Sequence, residues 1–186
     1  MQDLDVKVIV TIIAALVSFI GLIIAKDHKV SEFRQSWIND FRDGVSELLG
    51  CVINIHAHYI IAESENENDD NNKAEVTFIK NSHELYNDAH RIVYKLKLML
   101  NPKKDHDLIS AISRVEAMII DSDKLDDESH FHDVTDKLYK LSHNTLKNEW
   151  TRVKKGEFVF HSTKYLLGLT MIFFVITYIA DIVLKT

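Results

Sequence analysis

Val8 to Ala25 reads VIVTIIAALVSFIGLIIA, 18 consecutive residues without a charge. At ~1.5 Å per residue a helix of that length covers ~27 Å, close to the ~30 Å hydrocarbon core of a bilayer. Lipid offers no partner to a backbone N–H or C=O, so a segment that enters it must be helical. A second run, Tyr165 to Leu184, reads YLLGLTMIFFVITYIADIVL, 20 residues broken only by Asp181. Apolar residues stand on every side of both cylinders, whereas a helix on the surface of a soluble protein keeps a polar face. Both are read as transmembrane helices, 8–25 and 165–184.

A cleaved leader is the rival reading of the first run. MQDLDVK ahead of it carries two acids and one Lys, and no small-residue cleavage site follows, so the helix is expected to stay. Lys26, Lys29, Arg34 and Arg42 follow the first run, and Lys147, Arg152, Lys154, Lys155 and Lys164 precede the second, against only Lys7 and Lys185 beyond them. The positive-inside rule then puts 26–164 in the cytoplasm, with the short ends 1–7 and 185–186 outside. Cys51 is the single cysteine and has no partner for an internal disulfide, which fits a reducing compartment. With 22 basic and 28 acidic residues the net charge is −6, which gives no reason to expect direct nucleic-acid binding.

The segment 26–164 holds all but two of the basic residues, all but three of the acids, the one Pro, and Gly44, Gly50 and Gly156. So little turn chemistry favours a few long helices over many short strands. Phe33, Trp37, Phe41, Val45, Leu48, Val52, Ile55 and Tyr59 are three or four apart, and predict one face of a helix over about 29–61 that continues out of the first span. Glu63 to Glu75, ESENENDDNNKAE, has no large apolar side chain and is expected to be a mobile acidic loop. Val76, Phe78, Leu85, Ala89, Ile92, Leu96 and Leu100 mark a second helix that stops at Asn101-Pro102, since Pro disfavours helix in the residue before it. A third helix opens near Asp105 with Leu108, Ile109, Ile112, Val115 and Ile119 inward. Polar Asp121 to Ser129 forms the next connection, and Phe131, Val134, Leu138, Leu141 and Trp150 mark a fourth helix toward Gly156. The fold class expected is an all-α membrane protein, with terminal transmembrane helices flanking a cytoplasmic antiparallel bundle of about four helices.

Candidate sites are few. His56-x-His58 and His130-x-His132 suggest a metal, but helical ligands meet at spacings of three or four, so solvent-facing histidines and no metal are expected. The sequence holds no Gly-rich phosphate loop, nucleophile elbow or CxxC pair. Arg34, Arg42, Arg91, Arg114 and Arg152 each lack a His after four to six intervening residues, the arrangement of helical RNases in bacterial defence. No catalytic residue, cofactor or enzyme activity is expected. Asp181 is read first as an interfacial carboxylate, and second as a pore or helix-pairing residue. Ala14, Ser18, Gly21 and Ala25 are small residues that allow close helix contact and weakly favour a homo-oligomer. Arg34, Asp40, Arg42 and Asp43 surround Trp37, as interfacial anchors or as a coupling element to the first span.

VSEFRQSWINDFRD (Val30 to Asp43), LMLNP with DHDLI (Leu98 to Pro102, Asp105 to Ile109) and NEWTRVKKGE (Asn148 to Glu157) resemble landmarks of a widespread family of small bacterial two-transmembrane proteins. Some of these resemble the membrane effectors of retron antiphage systems. The resemblance implies an inner-membrane protein held silent by a reverse transcriptase and its RNA-linked DNA, which damages the membrane when phage disables a host repair complex. The main alternative is a non-toxic membrane-tethered scaffold or accessory protein, associated with CRISPR or a prophage.

Overall fold

A computed structural model describes residues 2–66, 71–155 and 158–184. Every element in it is helical: α1 (Gln2–Asn66), α2 (Asn71–Met99), α3 (His106–Ile120), α4 (Ser122–Asp126), α5 (Glu128–Lys155) and α6 (Phe158–Leu184). The chain divides into two compact units, one of Met1–Gln35 with Trp150–Thr186 and the other of Ser36–Glu149.

In the unit of Ser36–Glu149, one apolar cluster draws on every helical segment. α1 contributes Phe41, Val45, Leu48, Val52 and Ile55, α2 contributes Ala89, Ile92, Val93 and Leu96, and α3 contributes Leu108, Ile112, Val115 and Ile119. α4 adds Leu125, and α5 adds Phe131, Val134 and Leu138. The three-and-four spacing places these residues along one stripe per helix, and burying the stripes against each other is what holds the helices together. Gly44 packs against α2: a Cβ there would meet Leu96 Cδ2 at 3.0 Å, so a larger residue would have to displace the Leu96 side chain. Between α2 and α3, Lys97 Nζ lies 2.6 Å from Glu116 Oε2, and His90 Nδ1 lies 3.5 Å from the other carboxylate oxygen.

Several expectations are corrected. Of the acidic segment 63–75, residues 63–66 continue α1 and 71–75 belong to α2, while 67–70 lie outside the described residues. A helix satisfies its own backbone, so an amphipathic body can extend past its last buried residue without further apolar surface. The Asp121 to Ser129 connection contains α4, whose Leu125 is buried. Lys124 Nζ lies 2.7 Å from Asp121 Oδ2 at its start. Asp127 then caps α5, its Oδ1 accepting the His130 N–H at 2.9 Å.

Three residues expected inward face out. Phe33 is 67% exposed, with the Lys29 ammonium 5.3 Å from its ring centre, because it precedes the unit that begins at Ser36. Val76 and Phe78 are two apart and cannot share a helix face; Phe78 turns inward, edge-on to Tyr59 and Tyr86, and leaves Val76 exposed. Trp150 is 40% exposed, with Lys154 over its ring at 5.4 Å.

In the unit of Met1–Gln35 with Trp150–Thr186, Ile20, Ile23 and Ile24 of α1 share an apolar cleft with Leu167, Gly168 and Met171 of α6. Among the described residues, α1 is the one helix long and apolar enough to cross a membrane, and α6 presents a shorter apolar stretch, Ser162–Phe174. The described helices also extend past the expected spans, since α1 begins at Gln2 and α6 at Phe158.

Candidate functional site

Two of the segments singled out in the sequence, Val30 to Asp43 and the LMLNP–DHDLI stretch, meet at the start of the Ser36–Glu149 unit. Trp37 Nε1 donates to the Met99 carbonyl at 3.2 Å, across 62 positions of sequence. The Trp37 ring stacks on Phe41 with centroids 5.1 Å apart and planes 5° from parallel. Phe41 is fully buried, so the indole is laid on the edge of the core by its own helix, one turn away.

The acceptor exists because α2 ends there. Pro102 cannot donate a hydrogen bond and keeps Asn101 out of helical geometry, so the last carbonyls of α2 have no partner further along the helix. Asn101 and Asp105 close the turn reciprocally. Asn101 N–H donates to Asp105 Oδ2 at 2.8 Å, and Asp105 N–H donates to the Asn101 carbonyl at 2.8 Å. Asn101 Oδ1 also accepts the Lys103 N–H at 3.0 Å, folding the chain over Pro102. The residues of LMLNP and DHDLI therefore specify a rigid α2–α3 turn, and Trp37 from VSEFRQSWINDFRD binds it.

The charged neighbours of Trp37 are placed more plainly. Asp40, Arg42 and Asp43 are exposed. Ser36 Oγ donates to Asp40 at 3.4 Å, and Arg42 donates to Asn39 Oδ1 at 3.3 Å. Arg34 is half-buried in the other unit. This stretch is tied to the rest of its unit by the indole hydrogen bond and by the buried Phe41 beside it.

Replacing Trp37 by Phe keeps the stacked ring and removes the donor. Urea unfolding of the full chain in detergent should show a loss of ~0.5–1.5 kcal/mol, the net worth of one hydrogen bond. Unchanged stability would mean that the Met99 carbonyl is equally well served by water.

The histidine pairs diverge, as residues two apart on a helix must. His56 is stacked on Phe131 at 4.0 Å, and His58 Nδ1 lies 3.2 Å from Oγ of buried Ser82. Both are half-buried, each against a neighbouring helix, which corrects the expectation of solvent-facing histidines; apolar positions alone gave no sign of it. His130 is half-buried, and His132 is exposed with Glu128 at 3.8 Å. Among the described residues no group of three or more His, Cys, Asp or Glu is placed to hold a metal ion. Burial pushes the Cys51 thiol above its usual pKa, and the Asp88 and Glu47 carboxylates push the same way, which favours the protonated thiol at neutral pH.

Asp181 lies outside the described residues as far as its side chain is concerned. Ala14, Ser18, Gly21 and Ala25 are all exposed, and a Cβ on Gly21 would meet nothing within 4 Å. The described cleft between α1 and α6 is lined on the α1 side by Ile20, Ile23 and Ile24, not by these small residues. Comparison with known protein families, with characterised proteins and with solved structures finds no match for this chain.

Proposed function

We propose that this protein is a non-enzymatic membrane effector of a bacterial antiphage system of the retron type. Reverse transcriptase with its RNA-linked DNA holds it silent, and on release it damages the inner membrane and stops the infected cell. In this reading 8–25 and 165–184 both cross the inner membrane, 26–164 is a cytoplasmic antiparallel bundle of four helices, and several copies assemble into the lesion.

The observation that carries the reading is the hydrogen bond from Trp37 to Met99. It joins two of the segments on which the family resemblance rests, 62 residues apart, at the point where α1 enters the Ser36–Glu149 unit. A partner that binds the helical unit can then bias α1 through a rigid contact instead of through a loose linker. Two features support the membrane part. Phe19, Leu22, Leu166, Leu169 and Phe173 are all exposed, and so much apolar surface on two neighbouring helices suits hydrocarbon and not water. The exposed small residues of α1 suit contact with a further helix in lipid.

The test is to express the chain with and without the genes that flank its own and to follow membrane potential with a voltage-sensitive dye. Collapse of the potential is expected when the chain is alone, and, with its partners present, only after phage infection. Potential that stays intact in both settings, with the protein in the inner membrane, would replace this reading with that of a tethered accessory factor.

A further inference from the structure

α1 is apolar on two sides. Toward the core, Leu48, Cys51, Val52 and Ile55 are buried. On the other side, spaced alternately by four and three, stand Ser46, Gly50, Ile53, Ala57, Ile60 and Ser64, all exposed and none charged. At 3.6 residues per turn the two sets point ~170° apart. The outward faces of the neighbouring helices show the contrast. Lys80, Glu84, Arg91 and Lys95 face out on α2, and Asp133, Lys137, Lys140 and Lys147 on α5. Single exposed apolar residues are ordinary. A charge-free line ~27 Å long with alternating three-and-four spacing is the pattern of a helix seam. Ile53 and Ile60 are 55% and 51% exposed, and a Cβ on Gly50 would meet nothing within 4 Å. The line therefore offers two large knobs with open backbone beside them.

We propose that this line is a parallel seam between the α1 helices of two copies of this chain. The inference rests on the reading that the apolar half of α1 spans a membrane. α1 is one helix from Gln2 to Asn66, so copies inserted the same way present the line with the same polarity and at the same depth. Like residues then face each other in layers, Ile53 to Ile53 and Ala57 to Ala57. A charge on such a line would meet its own like, which explains why Glu47 and Glu63 lie beside it and not on it. A different protein as partner would impose no such exclusion, because it could carry the opposite charge.

Disulfide formation in native membranes tests this. The full-length chain carries Cys51→Ala, with Ile53→Cys or Ile60→Cys on the line and Asn54→Cys or Lys95→Cys off it. Under mild oxidation the two seam positions should give roughly fivefold more covalent dimer than the two controls, because the bond forms only where Cβ atoms approach within about 4.5 Å. Equal dimer at Asn54 and Ile53 overturns the seam, as does no dimer at Ile53 and Ile60 when both thiols react with maleimide. A chain that depolarises cells without seam crosslinks overturns the seam alone. Seam crosslinks with potential left intact overturn the toxic role alone. A chain found outside the membrane fraction overturns both.

Discussion

Phe41→Ala is expected to lower the stability of the helical unit by ~3–5 kcal/mol, the usual cost of removing a fully enclosed aromatic ring. Phe41 has no exposed surface. Its ring is also the platform on which Trp37 stacks before donating to Met99, so the cavity opens beside the α2–α3 turn and the indole loses its support. Chemical unfolding of the full chain in detergent, followed by helical circular dichroism, measures the loss. The variant should unfold at a markedly lower denaturant concentration than Trp37→Phe, which removes a single donor. A cost below ~1 kcal/mol, the size of an ordinary surface change, would show that Phe41 is not enclosed in the native protein.

The second large effect concerns α1 and α6. Val17, Phe19, Leu169 and Phe173 are exposed, two on each helix. On insertion scales an Arg near the centre of a span costs ~2.5–3.5 kcal/mol, whereas Val or Phe contributes about −0.3 to −0.6. Val17→Arg with Phe19→Arg therefore opposes insertion of α1 by ~6–8 kcal/mol, and Leu169→Arg with Phe173→Arg penalises α6 comparably. If both helices span, neither pair alone should release the chain from carbonate-washed membranes, since the other helix still holds it, and all four changes together should. Release by the α1 pair alone would show that α6 does not span, and release of the parent chain would show that neither does. Leu98→Arg is the control: Leu98 is 87% exposed in the other unit, so fractionation should not change.

The face of α1 was legible from spacing alone for Phe41, Val45, Leu48, Val52 and Ile55, all buried as expected, with Trp37 and Tyr59 packed at the ends of the same stripe. Phe33 continues that periodicity and is nonetheless outside, because periodicity carries no mark of where neighbouring helices stop. Leu125 escaped notice for the opposite reason. One leucine in a polar stretch makes no pattern, and only the short helix α4 brings it into the core. The α2–α3 turn was half legible: Pro102 announced the end of α2, but not that the freed Met99 carbonyl would meet an indole.

The histidines divide the same way. Spacing excluded a shared ligand role for His56 and His58, since two positions on a helix diverge whatever surrounds them. What each one touches, Phe131 or Ser82, depends on helices that begin far away in the chain.

What the sequence determined by itself was local: an all-helical chain, an uncharged stretch in α1, the stop at Pro102 and the stripe each long helix of the bundle must bury. These follow from backbone hydrogen bonding and side-chain period, which act within a few residues. Only the tertiary structure decided that Phe33 falls outside the core while Leu125 enters it, that Gly44 receives Leu96, and that Trp37 closes onto Met99. A stripe requires burial without naming its partner, and the partner is chosen by how the remaining helices fit around it.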